Sequence, residues 1–180
     1  GRAERVAAEE AATYTVGDPR DPATRLGPLV SDVQRERVRD YLRSAAEDGA
    51  TVLTGGPDAP EGLERGFYVR PTVLTGVTPE ARVAQEEIFG PVLVILPYDG
   101  EDQAVRIANG TAYGLAAGVS GADPERAYRV ARRLRAGQIS VNGGAHNGLA
   151  PFGGYKQSGY GREYGRFGLG EFLTTTSIQL

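Results

Sequence analysis

The chain has 180 residues, no cysteine, no methionine, one histidine and a formal net charge of −3. The missing cysteines exclude disulfides, thiolate nucleophiles and cysteine metal sites, and a lone histidine, His146, excludes a histidine metal cluster. The mild negative charge without any basic cluster argues against a nucleic-acid footprint, and no apolar run reaches the length of a membrane span. The composition is that of an ordinary soluble chain long enough for a sizeable core. The missing methionine reads as the mark of a fragment or a processed product.

In chain order, Ala3, Val6, Ala7, Ala11 and Tyr14 fall near one helical face and predict a helix from about Ala3 to Tyr14. Gly17 to Pro22 is a turn cluster, and a loop follows through Leu26-Gly27-Pro28-Leu29. Ser31 and Gln34 have capping-box spacing and open a second helix. Its apolar stripe is Val38, Tyr41, Leu42 and Ala45, and Gly49 ends it. Thr51-Val52-Leu53 reads as a short strand and Gly55 to Gly66 as a surface loop. Phe67-Tyr68-Val69 and Thr72-Val73-Leu74 are strand-like, with a break at Pro71.

The stretch Gln85-Glu86-Glu87-Ile88-Phe89-Gly90-Pro91 then runs into Val92-Leu93-Val94-Ile95-Leu96. The run is short, β-branched and apolar on both faces, which predicts a buried parallel strand. A loop feeding such a strand can hold side chains rigidly at one end of a sheet, so the chemistry is expected there.

Asp99 to Asn109 predicts a helix with Ala104, Val105 and Ala108 inward, and Leu115 to Val119 a strand. Asp123-Pro124 starts another helix, with Asp as cap and Pro at the first helical position. Its stripe is Ala127, Val130, Ala131 and Leu134, with Gly137 at the end, and Ile139-Ser140-Val141 is the next strand. This alternation predicts an α/β fold, a parallel sheet flanked by helices. Glycines crowd the segment from Asn142 to Gly170 and demand tight turns or close backbone approach. Phe172 to Leu180 is rich in Thr and β-branched residues and should be an extended strand whose partner is another chain.

Common catalytic motifs are missing. Ser158 lies in Lys156-Gln157-Ser158-Gly159-Tyr160, which fails the spacing of a serine nucleophile elbow. Gly159-x-Gly161 has Tyr164 where the dinucleotide fingerprint requires a glycine.

Three stretches carry a resemblance: Glu86-Glu87-Ile88-Phe89-Gly90-Pro91, Asn109 to Gly118, and Pro151 to Gly159. With Gly161-Arg162-Glu163, Gly168-Leu169 and the segments around Val16 and Gly27, they resemble the C-terminal part of the NAD(P)-dependent aldehyde dehydrogenases over essentially the whole chain. The resemblance implies that residues 1–170 are part of that catalytic domain and 171–180 an oligomerisation strand. It implies a cytoplasmic enzyme, a homo-oligomer (dimer or tetramer), that oxidises an aldehyde to an acid with NAD or NADP, with no nucleic-acid or membrane partner.

Residue by residue, the resemblance implies that Glu87 binds the hydroxyls of the nicotinamide ribose and that Phe89 lies beside the nicotinamide. The chemistry is sound, since a carboxylate only accepts and a vicinal diol offers two donors. It further implies that Phe152 lines the aldehyde tunnel and that His146 contacts substrate, though a lone histidine on a glycine-rich loop is otherwise a surface residue. Glu86 is left as a solvated surface carboxylate, and Lys156 receives no catalytic role. In the family a cysteine thiolate attacks the aldehyde. That cysteine is expected just upstream of Gly1, so no catalytic residue and no metal are assigned within the chain. The chain alone is expected to be inactive and to bind neither cofactor tightly. The alternative is a stand-alone, non-catalytic assembly or binding module derived from the same fold.

Overall fold

The computed structural model describes residues 1–180 and divides them into two units, Gly1–Pro97 and Tyr98–Leu180. The first unit opens with α1 (Arg2–Ala12), which buries no residue fully and lies beside the first two strands. Thr75 Oγ1 donates to Glu4 Oε1 at 2.9 Å and ties this helix to the sheet.

Helix α2 (Asp32–Glu47) begins where its spacing predicts. Ser31 Oγ accepts the Gln34 backbone N–H at 3.2 Å. The predicted stripe of Val38, Tyr41, Leu42 and Ala45 is the buried one. It packs with Val69, Leu74, Val77, Val83 and Ile88 into the core of this unit. Burying a Val or Leu side chain contributes about 1.5–3 kcal/mol, so this stripe, not the cap, is what holds α2 in place.

Three strands, β1 (Thr51–Thr54), β2 (Thr72–Thr75) and β3 (Val92–Val94), form a sheet in that order. The central strand β2 is buried, and Thr72 satisfies its hydroxyl there by donating to the Arg70 carbonyl at 2.9 Å and accepting from Gly56 N–H at 3.0 Å. β2 and β3 are parallel, joined through the short helix α3 (Arg82–Gln85). β1 and β2 are antiparallel, which corrects the expectation of a wholly parallel sheet. The Gly- and Pro-rich connection from Gly55 to Pro71 carries no crossover helix, and it returns the chain in the opposite direction.

Two further expectations are corrected in this unit. The run from Val92 is not buried on both faces: Leu93 is 51% exposed and its neighbours only half-buried. As the last strand of the sheet, β3 has no layer over Leu93. Phe67-Tyr68-Val69 is not a strand. Gly66 at φ +106° turns the chain in, Pro71 removes a donor, and the Leu29 N–H bond to the Phe67 carbonyl (2.9 Å) is a single contact, not a ladder.

The second unit holds α4 (Gly100–Asn109), β4 (Ala116–Val119), α5 (Pro124–Ala131) and β5 (Gln138–Val141). β4 and β5 pair parallel from Ala116↔Gln138 to Val119↔Val141, so β4–α5–β5 is the predicted βαβ unit. Asp123 Oδ1 accepts Arg126 N–H at 3.1 Å with Pro124 at the first turn, as the sequence predicts. Ala127 and Ala131 are buried, and α5 ends there, before Leu134. In α4 the inward face centres on Val105, with Ala104 and Ile107 half-buried, while Ala108 is exposed. The glycine-rich segment folds into a 3₁₀ turn (Lys156–Ser158) and α6 (Gly165–Gly170). From Glu171 to Leu180 the chain is exposed and forms no helix or strand. The architecture is therefore α/β with two small sheets, one mixed and one parallel. No helix is long and apolar enough to cross a membrane.

Candidate functional site

The loop from Glu86 to Gly90 leaves α3 and enters β3, and its side chains alternate between anchored and free. Glu86 Oε2 accepts the Tyr41 hydroxyl at 2.6 Å and Arg82 Nε–H at 3.3 Å. Glu87 projects outward, and its carboxylate has no partner within the chain. Ile88 is buried in the core of the unit. Phe89 is 70% exposed. Gly90 lies against Val38, where a Cβ would sit 2.5 Å from Val38 Cγ2, so no larger residue fits unless the buried Val38 side chain shifts.

The backbone of this loop is pinned from α2. Gln34 Nε2 donates to the carbonyls of Ile88 (3.2 Å) and Phe89 (2.8 Å). Arg37 Nη2 donates to the Glu87 carbonyl at 2.9 Å and to Tyr41 Oη at 3.2 Å. These bonds hold Phe89 at φ +60°, a left-handed conformation that bulky residues rarely adopt. An aromatic kept there while its ring faces solvent is strain of the kind that gathers at binding sites.

The charges around Tyr41 are balanced. The guanidinium carbons of Arg82 and Arg37 lie 4.0 and 5.3 Å from the Tyr41 ring centroid. The Tyr41 hydrogen bond, then the Arg82 hydrogen bond, hold the Glu86 carboxyl below its ordinary value. The hydrogen bond to Glu86, then burial, push the Tyr41 phenol up. Glu86 is therefore not the free surface carboxylate that the sequence suggests. It is the fastening point of the loop.

In the second unit, His146 lies exposed on the coil after β5, and Phe152 is half-buried. Tyr164 brings them together. The His146 ring meets the Tyr164 ring edge-on at 5.7 Å, and the Phe152 ring lies 5.9 Å from it. A two-residue antiparallel bridge sets this geometry: Phe152 N–H donates to the Glu163 carbonyl at 2.8 Å, and Glu163 N–H returns to Phe152 at 2.7 Å. Tyr164 itself has φ +61° and ψ +155°, a region otherwise left to glycine. A cleft of about 390 Å³ adjoins Phe152 and the glycine turns around it.

The remaining motif residues are structural. Lys156 Nζ donates to the carbonyls of Asn109 (2.8 Å) and Thr111 (2.9 Å), where α4 ends. Asn109 accepts Arg135 N–H at 2.7 Å and donates to the Arg133 carbonyl at 2.9 Å. Gly114 N–H donates to Ser158 Oγ at 3.0 Å, and Tyr155 N–H donates to the Gly114 carbonyl at 2.8 Å. The motif at Asn109 to Gly118 and the motif at Pro151 to Gly159 are thus one docked piece.

Of the predicted site residues, Glu87 and Phe89 share one loop, and His146 and Phe152 share one aromatic cluster. Sequence reasoning missed Gln34, Arg37, Tyr41, Arg82 and Tyr164. The capping-box position of Gln34 was the one available signal, and it pointed to the helix, not to a loop 55 positions away.

Comparison with known proteins shows the family. The model of the Aldehyde dehydrogenase family matches residues 3–178. A putative aldehyde dehydrogenase of Staphylococcus aureus strain USA300 is 45% identical over 170 residues, which is 94% of this chain and 36% of that protein. The crystal structure of a mutant aldehyde dehydrogenase C of Pseudomonas syringae, complexed with NAD+ and octanal, aligns with a TM-score of 0.94 at 49% identity, covering 98% of this chain and 36% of that one. An aldehyde dehydrogenase of Mycobacterium tuberculosis complexed with NAD+ aligns with a TM-score of 0.87 at 44% identity, covering 91% of this chain and 34% of that one. The chain thus spans about a third of the length of the relatives it matches. One expectation is corrected here. The match over residues 3–178, covering 36% of the relative, supports family membership over about a third of the family's length. The assignment to the C-terminal part, and with it a cysteine just upstream of Gly1, is withdrawn.

Proposed function

The chain belongs to the aldehyde dehydrogenase family, and from that premise we propose that it supplies one corner of the cofactor site and one wall of the aldehyde site of an NAD(P)-dependent aldehyde dehydrogenase. The observation that carries this reading is Glu87: a carboxylate without an intramolecular partner, on a loop pinned at both neighbouring side chains and at its own carbonyl. An acceptor-only group held in place at a solvent-facing turn fits the two hydroxyls of a ribose. Phe89, strained and exposed beside it, fits a flat heterocycle.

When bound, NAD or NADP takes up the hydride that the aldehyde loses. The residues of this chain bind and orient. Glu87 accepts the ribose hydroxyls, Phe89 borders the nicotinamide, and Phe152 with His146 borders the aldehyde, their rings kept in place by Tyr164. The chain has no cysteine. The thiolate that attacks the aldehyde belongs to another part of the enzyme, and the chain by itself turns over no substrate. Residues 171–180 serve as a strand for a second copy of the chain, in a homo-oligomer.

The test uses the enzyme that carries these 180 residues. With a panel of aldehydes, Glu87→Gln raises the KM for NAD(P) and leaves the KM for aldehyde unchanged, while Phe152→Ala does the reverse. Oxidation of aldehydes by the 180-residue chain alone would overturn the division of labour. An unchanged cofactor KM in Glu87→Gln would overturn the ribose role. If the chain occurs in its cells as a free 19.1 kDa protein, the assembly-module reading replaces this one.

A further inference from the structure

Tyr41 occupies a core position where phenylalanine or leucine would bury the same apolar surface. It is 0% exposed, in the middle of the α2 stripe. A phenol at such a place needs a partner for its O–H. Its partner is not in the core. It is Glu86, 45 residues away in sequence, half exposed, at the start of the loop that presents Glu87 and Phe89. Arg37 joins the same oxygen to the Glu87 carbonyl, so only one side chain stands between the phenol and the backbone of Glu87. Arg82 closes the arrangement by bonding Glu86 while stacking on the Tyr41 ring.

We infer that Tyr41 and Glu86 are positioning residues for cofactor binding. Their 2.6 Å hydrogen bond fixes the start of the loop, at the residue before Glu87, and so complements the Gln34 bonds that hold Phe89. The inference rests on the cofactor reading given above and adds residues that touch no ligand. The geometry favours positioning over plain stability on two counts. The polar link runs from a rigid helix to an exposed loop and not between two core elements. It also ends one residue before the free carboxylate, within the one segment of this unit where a bulky residue is held at positive φ. Without the link, the loop keeps its Ile88 anchor and the Gln34 and Arg37 bonds to its carbonyls but loses the bond that orients Glu86; in Tyr41→Phe, Arg37 also loses the acceptor that aligns it on Glu87.

The experiment has two readouts. In the chain itself, backbone order parameters at Glu86 and Glu87 fall from about 0.85, the level of rigid backbone, toward about 0.6 in Tyr41→Phe and in Glu86→Ala, while Phe89, still bonded by Gln34, changes less. Those of α2 stay unchanged. In the enzyme that carries the chain, the same two variants raise the KM for NAD(P) about tenfold with the aldehyde KM unchanged. Glu86→Gln, which keeps an acceptor for the phenol, restores the cofactor KM to within about threefold of the parent. A lowered melting temperature with unchanged order parameters and unchanged KM in both variants would mean a structural role only, and would overturn the inference. If Tyr41→Phe fails to fold, the Glu86 variants decide alone, since Glu86 is half exposed and outside the core. Failure of the cofactor reading is distinguishable: there Glu87→Gln leaves the KM for NAD(P) unchanged while Tyr41→Phe still frees the loop.

Discussion

Gln34 caps one structure and clamps another. Its backbone N–H closes the start of α2 on Ser31, while its side chain donates to the Phe89 carbonyl at 2.8 Å, 55 residues on. The two jobs separate by mutation. Gln34→Ala keeps the cap and removes two neutral hydrogen bonds, each worth about 0.5–1.5 kcal/mol. The expected loss in urea denaturation is about 1–2 kcal/mol, with new mobility at Phe89. Ser31→Ala costs about 1 kcal/mol through the cap and leaves the Phe89 loop as it was.

Phe89 sits at φ +60°. A non-glycine residue there costs about 1–3 kcal/mol, which glycine avoids. Phe89→Gly should therefore stabilise the chain by about 1 kcal/mol in thermal or urea unfolding. In the enzyme it should weaken NAD(P) binding, because the exposed ring is lost. A variant both less stable and unchanged in cofactor affinity would contradict the strain argument and the role together.

The Tyr41–Glu86 bond sets a pH window. Glu86 is held below the ordinary carboxyl value of 4.5, so the folded state binds fewer protons there. Its contribution is complete above that value and is lost as pH falls through the depressed folded one. Tyr41 is raised above the ordinary phenol value of 10.0. Its contribution is complete below 10.0 and is lost as pH rises through the raised folded value. Denaturation across pH should show a plateau between these limits. Glu86→Gln should flatten the acid edge, and Tyr41→Phe should flatten the alkaline edge and weaken the acid one, since Arg82 still bonds Glu86.

Lys156 bonds two carbonyls at the end of α4. Lys156→Met keeps the stem and removes the donors. We expect the second unit to lose about 1 kcal/mol in urea denaturation. Hydrogen exchange should rise at Gln157 N–H, which donates to the Ala112 carbonyl at 3.0 Å, with the first unit unaffected.

What was legible in the sequence was local. The α2 stripe, its cap, the Asp123-Pro124 helix start and the β4–α5–β5 unit follow from periodicity and capping within one element. The burial of β3 does not, because Val92-Leu93-Val94 carries no mark of being the last strand of its sheet. The direction of β1 was equally hidden, since a glycine- and proline-rich connection permits either sense. At the candidate site, a motif singles out Glu87 and Phe89, but what holds their loop was not legible. Tyr41 reads as core because it is core, and nothing in the spacing of a helix reveals that its hydroxyl reaches an acid 45 residues downstream.

The docking of Gly114 with Tyr155 and Ser158, and of Lys156 with Asn109 and Thr111, has a bearing on inheritance. Gly137 adds to it, for it lies so close to the Gly153 carbonyl that no side chain fits. These segments are distant in the chain but make a single joint. A crossover between two homologous genes anywhere from Gly118 to Pro151 would take one half of the joint from each parent. Chimaeras cut there should recover poorly, whereas exchanges of residues 1–97 as a block leave the joint whole.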